Sequence, residues 1–400
     1  MNAFPAACDL ASAKEPQIAI PPGSADAGAI RAATEGRRSR FARGWLGLRS
    51  AVQWLLGLSA IVLGLALVAS VPVLQFLSLG YLLEASGRVM RTGKLRSGLV
   101  GVRPAARLGG MVLGCWLVLV PVRVIRSLAT SAQLVEPGGP AQRAWLAVWA
   151  VVVALATLHL LGAFARGGRL RHFLWPAPLR VPRLLLRRGA VAEARDAVWD
   201  FVIGMRLGYF FWLGLRGFVG GLLWIVLPVT LISASPRVPA LGFVGSLLLA
   251  VVVLYLPFAQ TRFAAENRFA AMFEVGALRQ WFCRAPWALV AGLAMLLTLS
   301  LPLYLFKIEL LPRDAAWLPS LFFVALALPS RLLLGWACGY AERRPSIRPW
   351  FVRQPARLAM ISLALAYVLI VYFTQYTSWY GLASLYEQHA FLLPAPFLNY

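Results

Sequence analysis

Acidic residues, lysine, histidine and cysteine are all scarce in this sequence of 400 residues. Only 14% of the residues are charged, whereas 60% are apolar and the mean hydropathy is +0.72. A soluble domain needs a charged exterior, so this composition excludes the soluble globular classes. The apolar residues instead form blocks of about membrane-spanning length, which predicts an integral membrane protein.

The four cysteines and three histidines show no metal-ligand spacing. No Cys-x-x-Cys pair occurs, and the histidines are spread over positions 159, 172 and 389. A zinc or haem site needs several such ligands together, so we expect no metal and no cofactor. The sequence shows no recognised catalytic motif either, and we expect that the protein is not an enzyme.

Arginine carries almost all of the positive charge. Only three of the 39 basic residues are lysine, and the formal net charge is +24. The arginines do not form the single stripe that a nucleic-acid-binding surface requires. They lie in clusters between the apolar blocks, as the positive-inside rule expects of cytoplasmic loops. Because arginine holds phosphates in a planar fork, we predict that these loops contact anionic lipid headgroups and that nucleic acid is not a partner.

The first apolar block, from residue 45 to residue 90, is too long for one span of about 20 residues. Arginine clusters lie on both sides of it and Pro72 interrupts it, which predicts a helical hairpin with limbs at 50–70 and 73–90. A re-entrant second limb is the alternative. Further apolar blocks predict spans at 109–133, 144–165, 208–233, 240–260, 286–306, 316–338 and 357–375. The expected fold is an all-α, polytopic transmembrane helix bundle of about nine spans.

Charge counts orient this bundle. The loops 88–107, 166–206, 262–284 and 343–357 carry six, nine, four and five basic residues, whereas the intervening loops carry few. The positive-inside rule therefore places the amino terminus in the cytoplasm and the carboxyl terminus outside.

The two ends of the chain have distinct compositions. Residues 1–44 begin with an Ala- and Pro-rich stretch that has no apolar core, which predicts a disordered cytoplasmic tail. Residues 358–400 are predicted to hold the last span and an external tail. The aromatic residues of that tail are typical of an interfacial helix.

One five-residue sequence occurs twice in the chain. Residues 45–49 and 212–216 both read Trp-Leu-Gly-Leu-Arg, and each is followed by an apolar run with a proline and then by a return helix with a glutamate. The pattern predicts two parallel repeats of four spans, at 45–188 and 189–357, followed by a ninth helix. A chance match in a chain rich in Leu and Gly is the alternative.

Residues 71–83 read Val-Pro-Val-Leu-Gln-Phe-Leu-Ser-Leu-Gly-Tyr-Leu-Leu. This stretch resembles the opening of a family of prokaryotic multi-pass membrane proteins, in which a proline, a short apolar run and a Gly-Tyr-Leu turn precede a basic segment. Over its length the chain is also similar to hypothetical inner-membrane proteins of planctomycete-type bacteria, notably at 263–269 and 372–380. The resemblance implies a protein of the bacterial inner (cytoplasmic) membrane. It implies no activity, because none is assigned to that family.

Five charged residues in or near the spans are candidate substrate- or lipid-binding residues: Arg216, Glu84, Glu266, Arg123 and Arg126. An arginine as deep as Arg216 costs about 2.5–3.5 kcal/mol unless it snorkels or pairs. It either reaches the headgroups or pairs with Glu84 or Glu266 to hold an anion. The two glutamates either form interface ion pairs or serve a proton or cation relay. Arg123 and Arg126 share one helical face and either mark the membrane boundary or hold a phosphate.

These observations predict a non-enzymatic integral membrane protein that organises lipids or partner proteins. A transporter or permease for an anionic or lipid-like substrate is the alternative, favoured by Arg216, by the glycine-rich spans and by the possible duplication. An enzyme acting on lipid would need a nucleophile or a metal site, and the sequence shows neither.

Overall fold

The computed structural model describes residues 47, 50–175, 195–196, 199–200, 203–305, 317–377 and 381–385. Within these ranges the chain is helical and contains no strand, which confirms the all-α prediction. Residues Trp54–Tyr400 form one compact unit, to which the packing below refers. The predicted tail at 1–44 and most of the predicted tail after residue 377 lie outside the described residues.

The principal α-helices, in chain order, are α1 (Ser50–Ala69), α2 (Gln75–Thr92), α3 (Val102–Val135), α4 (Pro140–Ala165), α5 (Leu170–Leu174), α6 (Leu207–Ser233), α7 (Pro239–Glu266), α8 (Val275–Arg284), α9 (Pro286–Leu305), α10 (Trp317–Arg343) and α11 (Trp350–Thr377). Short 3₁₀ turns lie at Leu95–Gly98, Phe269–Phe273 and Gly381–Leu385.

Seven of these helices are long and apolar enough to cross a membrane, namely α1, α3, α4, α6, α7, α10 and α11. Helices α8 and α9 meet at a bend of 111° and together make an eighth candidate. The described residues thus contain seven to eight apolar helices that could cross a membrane, which is consistent with the predicted multi-pass membrane protein. The predicted count of nine also includes α2, whose 18 residues carry Glu84, Arg88 and Arg91.

Helix α2 lies inside the bundle and packs against α6, α7 and α10. Its ten successive residues from Ser78 to Gly87 are all buried. Glycines allow the close approach, because an added Cβ at Gly80 would meet α6, one at Gly87 would meet α7, and one at Gly335 of α10 would meet α2. Small residues at helix crossings are the usual device for close packing in membranes. Since α2 faces protein rather than lipid, it tolerates charges that a lipid-facing span would not.

The packing of α2 also joins the two predicted repeat units. It belongs to 45–188, whereas its three partners α6, α7 and α10 belong to 189–357. The contacts of Gly87 with Ala264 and of Gly335 with Ser86 place the ends of α2, α7 and α10 together. The central helix of the bundle is thus shared by both halves of the chain.

Several arginine-rich segments meet at one end of the bundle. Arg91 reaches the last turn of α7, Arg343 reaches the last turn of α2, and Arg107 reaches the turn after α4. The backbone of Arg348 pairs with the last turn of α8. We call this region the arginine end, and it comprises residues 88–107, 166–175, 262–284 and 343–357.

The segment 262–284, predicted as a loop between spans, is largely helical. It holds the end of α7, a 3₁₀ turn and all of α8. Helix α8 buries Leu278 and Trp281, and the chain then bends sharply into α9. A helix of ten residues is too short to appear as an apolar block, so the hydropathy pattern did not predict it.

Helices α2 and α7 end in the same backbone motif. The residue after each helix is left-handed, with φ 73° at Gly93 and φ 54° at Asn267. The next residue is extended in both cases, with φ and ψ of −109° and 120° at Lys94 and of −112° and 122° at Arg268. A 3₁₀ turn follows each. Such an αL cap satisfies the last carbonyls of a helix while it reverses the chain.

The two motifs are 174 positions apart (93 to 267). The same shift relates Tyr81 to Tyr255 and Arg88 to Arg262. Later helices keep nearly this spacing, since α3 and α8 begin 173 positions apart (102 to 275) and α4 and α10 begin 177 apart (140 to 317). This register differs from the shift of 167 (45 to 212) between the two copies of the five-residue sequence.

Candidate functional site

Glu84 is a buried carboxylate on α2, only 3% exposed, that joins α2 to α6. It accepts hydrogen bonds from Arg88 Nε at 2.7 Å and Arg91 Nη2 at 3.0 Å on one oxygen, and from the Tyr209 hydroxyl at 2.8 Å on the other. A buried carboxylate is costly unless it is paired and hydrogen-bonded. Both oxygens of Glu84 are satisfied by these three donors.

Arg91 and Arg343 extend this tie to two more helices. Arg91 Nη1 donates to the carbonyl oxygens of Ala264 at 3.0 Å and Ala265 at 2.8 Å, in the last turn of α7. Arg343 Nη1, from the last turn of α10, donates to the carbonyl of Met90 at 3.0 Å. Carbonyls at a helix carboxyl end lack intrahelical partners and carry partial negative charge, which favours arginine there. The network therefore fastens α2, α6, α7 and α10 at the arginine end.

Glu266 belongs to a separate four-residue network. Arg262 contacts Glu266 at 2.6 Å and Glu274 at 2.5 Å, while Arg268 contacts the same two carboxylates at 2.6 Å and 3.1 Å. The hydrogen bond to Glu266, together with the charges of Glu266 and Glu274, raises the pKa of Arg268 above its usual value. Two positive and two negative charges close on each other, so the network is neutral as a whole.

Glu84 and Glu266 do not occupy equivalent positions in their helices. Glu84 lies nine positions before the left-handed Gly93, whereas Glu266 lies one position before the left-handed Asn267. The difference of eight residues corresponds to about 12 Å along a helix axis. The pairing of the two glutamates suggested by the repeat in the sequence therefore does not agree with the helix ends.

Arg216 is half-buried on α6 and its partner is Asn267, not Glu84 or Glu266. Its Nη2 donates to Asn267 Oδ1 at 2.8 Å, and its guanidinium lies 5.8 Å from the ring centroid of Phe263. Because α7 ends at Glu266, the left-handed Asn267 projects its amide onto α6. Arg216 thus links α6 to the end of α7, which neither interpretation of the sequence anticipated.

Arg123 and Arg126 lie far from these networks. Both are exposed on α3, at 21 and 24 positions from its first residue Val102, which is about 32–36 Å along the helix. The Arg126 guanidinium lies 5.1 Å from the ring centroid of Trp149 on α4. The structure therefore brings Arg123 and Arg126 near each other but not near Glu84, Arg216 or Glu266.

Buried polar side chains also lie on α7 and α10, and they include a residue that sequence analysis missed. Arg331 of α10 is 1% exposed, and Gln260 of α7 is fully buried. Both lie about one helical turn before the crossings of their helices with α2, at Gly335 and Ala264. The signal for Arg331 was present in the sequence, because a lone arginine inside an apolar run is the criterion that selects Arg216.

A second concentration of arginine surrounds the short helix α5. We call it the α5 patch, and it comprises Arg107, Arg166, Arg169, Arg171 and His172.

Arg107 and Arg166 hold the patch together. Arg107 Nη2 donates to the carbonyl of Gly167 at 3.0 Å. Arg166 donates to the carbonyls of His172 at 2.8 Å and Trp175 at 3.1 Å. Through these bonds the start of α3 and the end of α4 fix the position of α5.

His172 reports the local potential of the α5 patch. Partial burial, followed by the charges of Arg166, Arg171 and Arg169, lowers the pKa of His172 below its ordinary value. Like charges nearby disfavour a second positive charge, so this direction is expected in a field of arginines. The remaining arginines of the patch, Arg169 and Arg171, are exposed.

Comparison with known proteins adds no family to these observations, because no family model, curated protein or solved structure matches the chain. The resemblance of residues 71–83 to a prokaryotic membrane family therefore stays a prediction. Within the described ranges, no group of three or more His, Cys, Asp or Glu side chains has the arrangement of a metal site.

Proposed function

We propose that the protein is a non-enzymatic, multi-pass protein of the bacterial inner membrane that organises anionic lipids at its arginine end. One observation carries the proposal. The acidic residues Glu84, Glu266 and Glu274 are engaged in ion pairs, and Glu342 is one further exposed carboxylate beside this end. The exposed Lys94, Arg96, Arg103, Arg107, Arg169 and Arg171 form no ion pair with any described residue. The remaining positive charge needs an anionic partner from outside the chain.

The distribution of acids supports this imbalance. No Asp or Glu occurs between Glu84 and Glu136, or between Glu136 and Glu193. The exposed side chains of Lys94, Arg96, Arg103 and Arg107 all fall in the first of these intervals. Basic residues at a membrane surface attract anionic headgroups by about 1 kcal/mol each. Arginine adds a planar fork that matches phosphate oxygens.

The proposal includes a topology of nine spans with α2 as a buried span. Helices α2 and α10 run in the same direction where they cross (Ser86 to Gly335, Met90 to Gly339), and α7 ends beside the last turn of α2, at Arg91. This arrangement supports a complete return from α1. The amino terminus then lies in the cytoplasm and the carboxyl terminus outside, as the positive-inside rule predicts.

Internal duplication is part of the same proposal. The order α1, α2, 3₁₀ turn, α3, α4 is matched by α6, α7, 3₁₀ turn, α8 with α9, α10. The shared cap geometry at Gly93 and Asn267 and the shift of 174 positions support two parallel units followed by α11. In this register α2 and α7 correspond, and they pack against each other.

Lipid retention tests the proposed function. The full-length protein, reconstituted in nanodiscs of phosphatidylcholine and phosphatidylglycerol and then released, is expected to retain phosphatidylglycerol above its bulk fraction, and to lose this preference as salt is raised. Replacing Arg96 and Arg103 by Gln should reduce the enrichment. Replacing Arg143 and Arg237, which are exposed outside the arginine end, should leave it unchanged. No enrichment in the unmodified protein would refute the proposal.

A transporter for a small anion is the second candidate, favoured by the buried Glu84, Gln260 and Arg331 at adjoining helices. In transporters built from repeats, the binding site lies between the repeated units, and α2 meets α7 at such an interface. One variant distinguishes the two proposed functions, because Gln260→Leu would abolish anion flux in a transporter. The same change would leave phosphatidylglycerol retention intact in a lipid-organising protein.

A further inference from the structure

The α5 patch has the construction of a specific site rather than of a diffusely charged loop. Phe173 anchors helix α5, because its side chain is buried against Gly114 of α3. Arg166 also fixes α5, because its two terminal nitrogens donate to the carbonyls of residues 172 and 175. The His159 ring contacts the Phe173 carbonyl at 2.7 Å. These contacts fix Arg169 and Arg171 on an exposed rim.

Among the described residues, the charges that act on His172 are those of three arginines. The end of α4 and its following turn contribute Arg166 and Arg169. Helix α5 itself contributes Arg171, whose Nε lies 3.3 Å from His172 Nε2. The other ring nitrogen, Nδ1, is buried and has no hydrogen-bond partner within the described structure. No carboxylate among the described residues offsets this like charge, and such an arrangement is unfavourable unless an anion is present.

An apolar edge adjoins the charged rim. Leu174 is 61% exposed and Trp175 is 77% exposed, immediately after the patch. Tryptophan is enriched where the headgroups meet the acyl chains. A free phosphate would gain nothing from this edge, whereas a lipid places its headgroup phosphate beside a hydrophobic region.

We infer that the α5 patch binds the phosphate of an anionic lipid headgroup, with Arg169 and Arg171 as its principal donors and Trp175 beside the glycerol and acyl region. The inference rests on the proposed function and gives it a location. Two arginine forks around one phosphate satisfy several oxygens at once, which a single surface lysine does not. The bound phosphate also places a negative charge beside His172.

His172 is therefore the reporter for the test. The full-length protein with isotope-labelled histidine is placed in nanodiscs of phosphatidylcholine, in nanodiscs that also contain phosphatidylglycerol, and in phosphatidylcholine with inorganic phosphate. The His172 resonance is assigned by its loss in His172→Gln, and its pKa is measured by NMR. We expect phosphatidylglycerol to raise the pKa of His172 by about one unit or more, as a nearby opposite charge does, and inorganic phosphate to leave it unchanged.

Two matched double variants locate the effect. With Arg169→Gln and Arg171→Gln, both exposed and outside the core, the pKa of His172 should already be higher in phosphatidylcholine and should move little on adding phosphatidylglycerol. With Arg123→Gln and Arg126→Gln, at the other end of α3, the full response should persist.

Each contrary result would overturn either the lipid site at the α5 patch or the proposed function as a whole. An unchanged pKa of His172 in a protein that still enriches phosphatidylglycerol would place the lipid elsewhere and leave the proposed function standing. A response to inorganic phosphate would assign the site to a soluble phosphate and overturn the lipid assignment. The absence of both enrichment and response would overturn the proposed function together with the site.

Discussion

Gly80 of α2 and Gly214 of α6 face each other where the two helices cross. A Cβ at Gly80 would overlap the carbonyl oxygen of Phe210, and one at Gly214 would overlap that of Phe76. The obstacle in each case is backbone, which cannot rotate away. Gly80→Ala is therefore expected to destabilise the protein by about 1–3 kcal/mol or more, measured as a lower midpoint of unfolding in mixed detergent. Gly64→Ala in α1, where nothing lies within 4 Å, is the control, and equal midpoints for the two variants would contradict the crossing.

The hydrogen bonds of Glu84 should contribute as much to the stability of the fold as the crossing of α2 with α6. Glu84→Gln removes the charge that two arginines share and leaves them without a carboxylate, so we expect a loss of about 1–3 kcal/mol in the free energy of unfolding. Tyr209→Phe removes one hydrogen bond and should cost about 1 kcal/mol. Glu136→Gln, at an exposed helix end, should change little. If the Glu136 and Glu84 variants were equally stable, Glu84 would not hold the helices together.

Arg216 and Asn267 should be energetically coupled. In a double-mutant cycle of Arg216→Gln and Asn267→Gly, the coupling should be about 0.5 kcal/mol or more, as for residues in direct contact. Glycine suits the left-handed backbone at position 267, so the change isolates the lost side chain. Additive effects would show that the contact of 2.8 Å contributes nothing measurable.

The proposed topology can be tested with fusions. Alkaline phosphatase attached after Tyr400 should be active and a fluorescent protein there should be dark, because the carboxyl terminus is expected outside. The same pair inserted after Ser346, within the arginine end, should give the opposite pattern. Active phosphatase at Ser346 would show that the orientation is the reverse of the one proposed. The same result at Ser346 and at Tyr400 would place both positions on one side of the membrane, so α11 would not be a single span.

Parts of the fold could be predicted from the sequence because the bilayer constrains them. Apolar blocks of about 20 residues locate the lipid-facing helices such as α4 and α11. Helix α2 is harder to interpret, since its partners are helices and its charges are satisfied by Tyr209 and by carbonyls of α7. Helix α8 is shorter than the blocks on which the prediction depends.

The candidate site was predictable as a set of residues but not as a set of contacts. Glu84 with Arg88 follows from helical spacing, because residues four apart are neighbours. The bond between Arg216 and Asn267 depends on where α7 ends and on a left-handed residue there, which hydropathy does not reveal. The position of Arg331 in the interior likewise depends on the packing of α10 against α2.

The most direct test of the central claim is photo-crosslinking of the reconstituted full-length protein with a phosphatidylglycerol analogue that carries its reactive group in the headgroup. Labelled peptides are then identified by mass spectrometry. Binding at the arginine end predicts labels in 88–107, 166–175 and 343–357 that unlabelled phosphatidylglycerol competes away. Labels distributed equally over both ends of the bundle, or concentrated at 136–143 and 234–239, would contradict it.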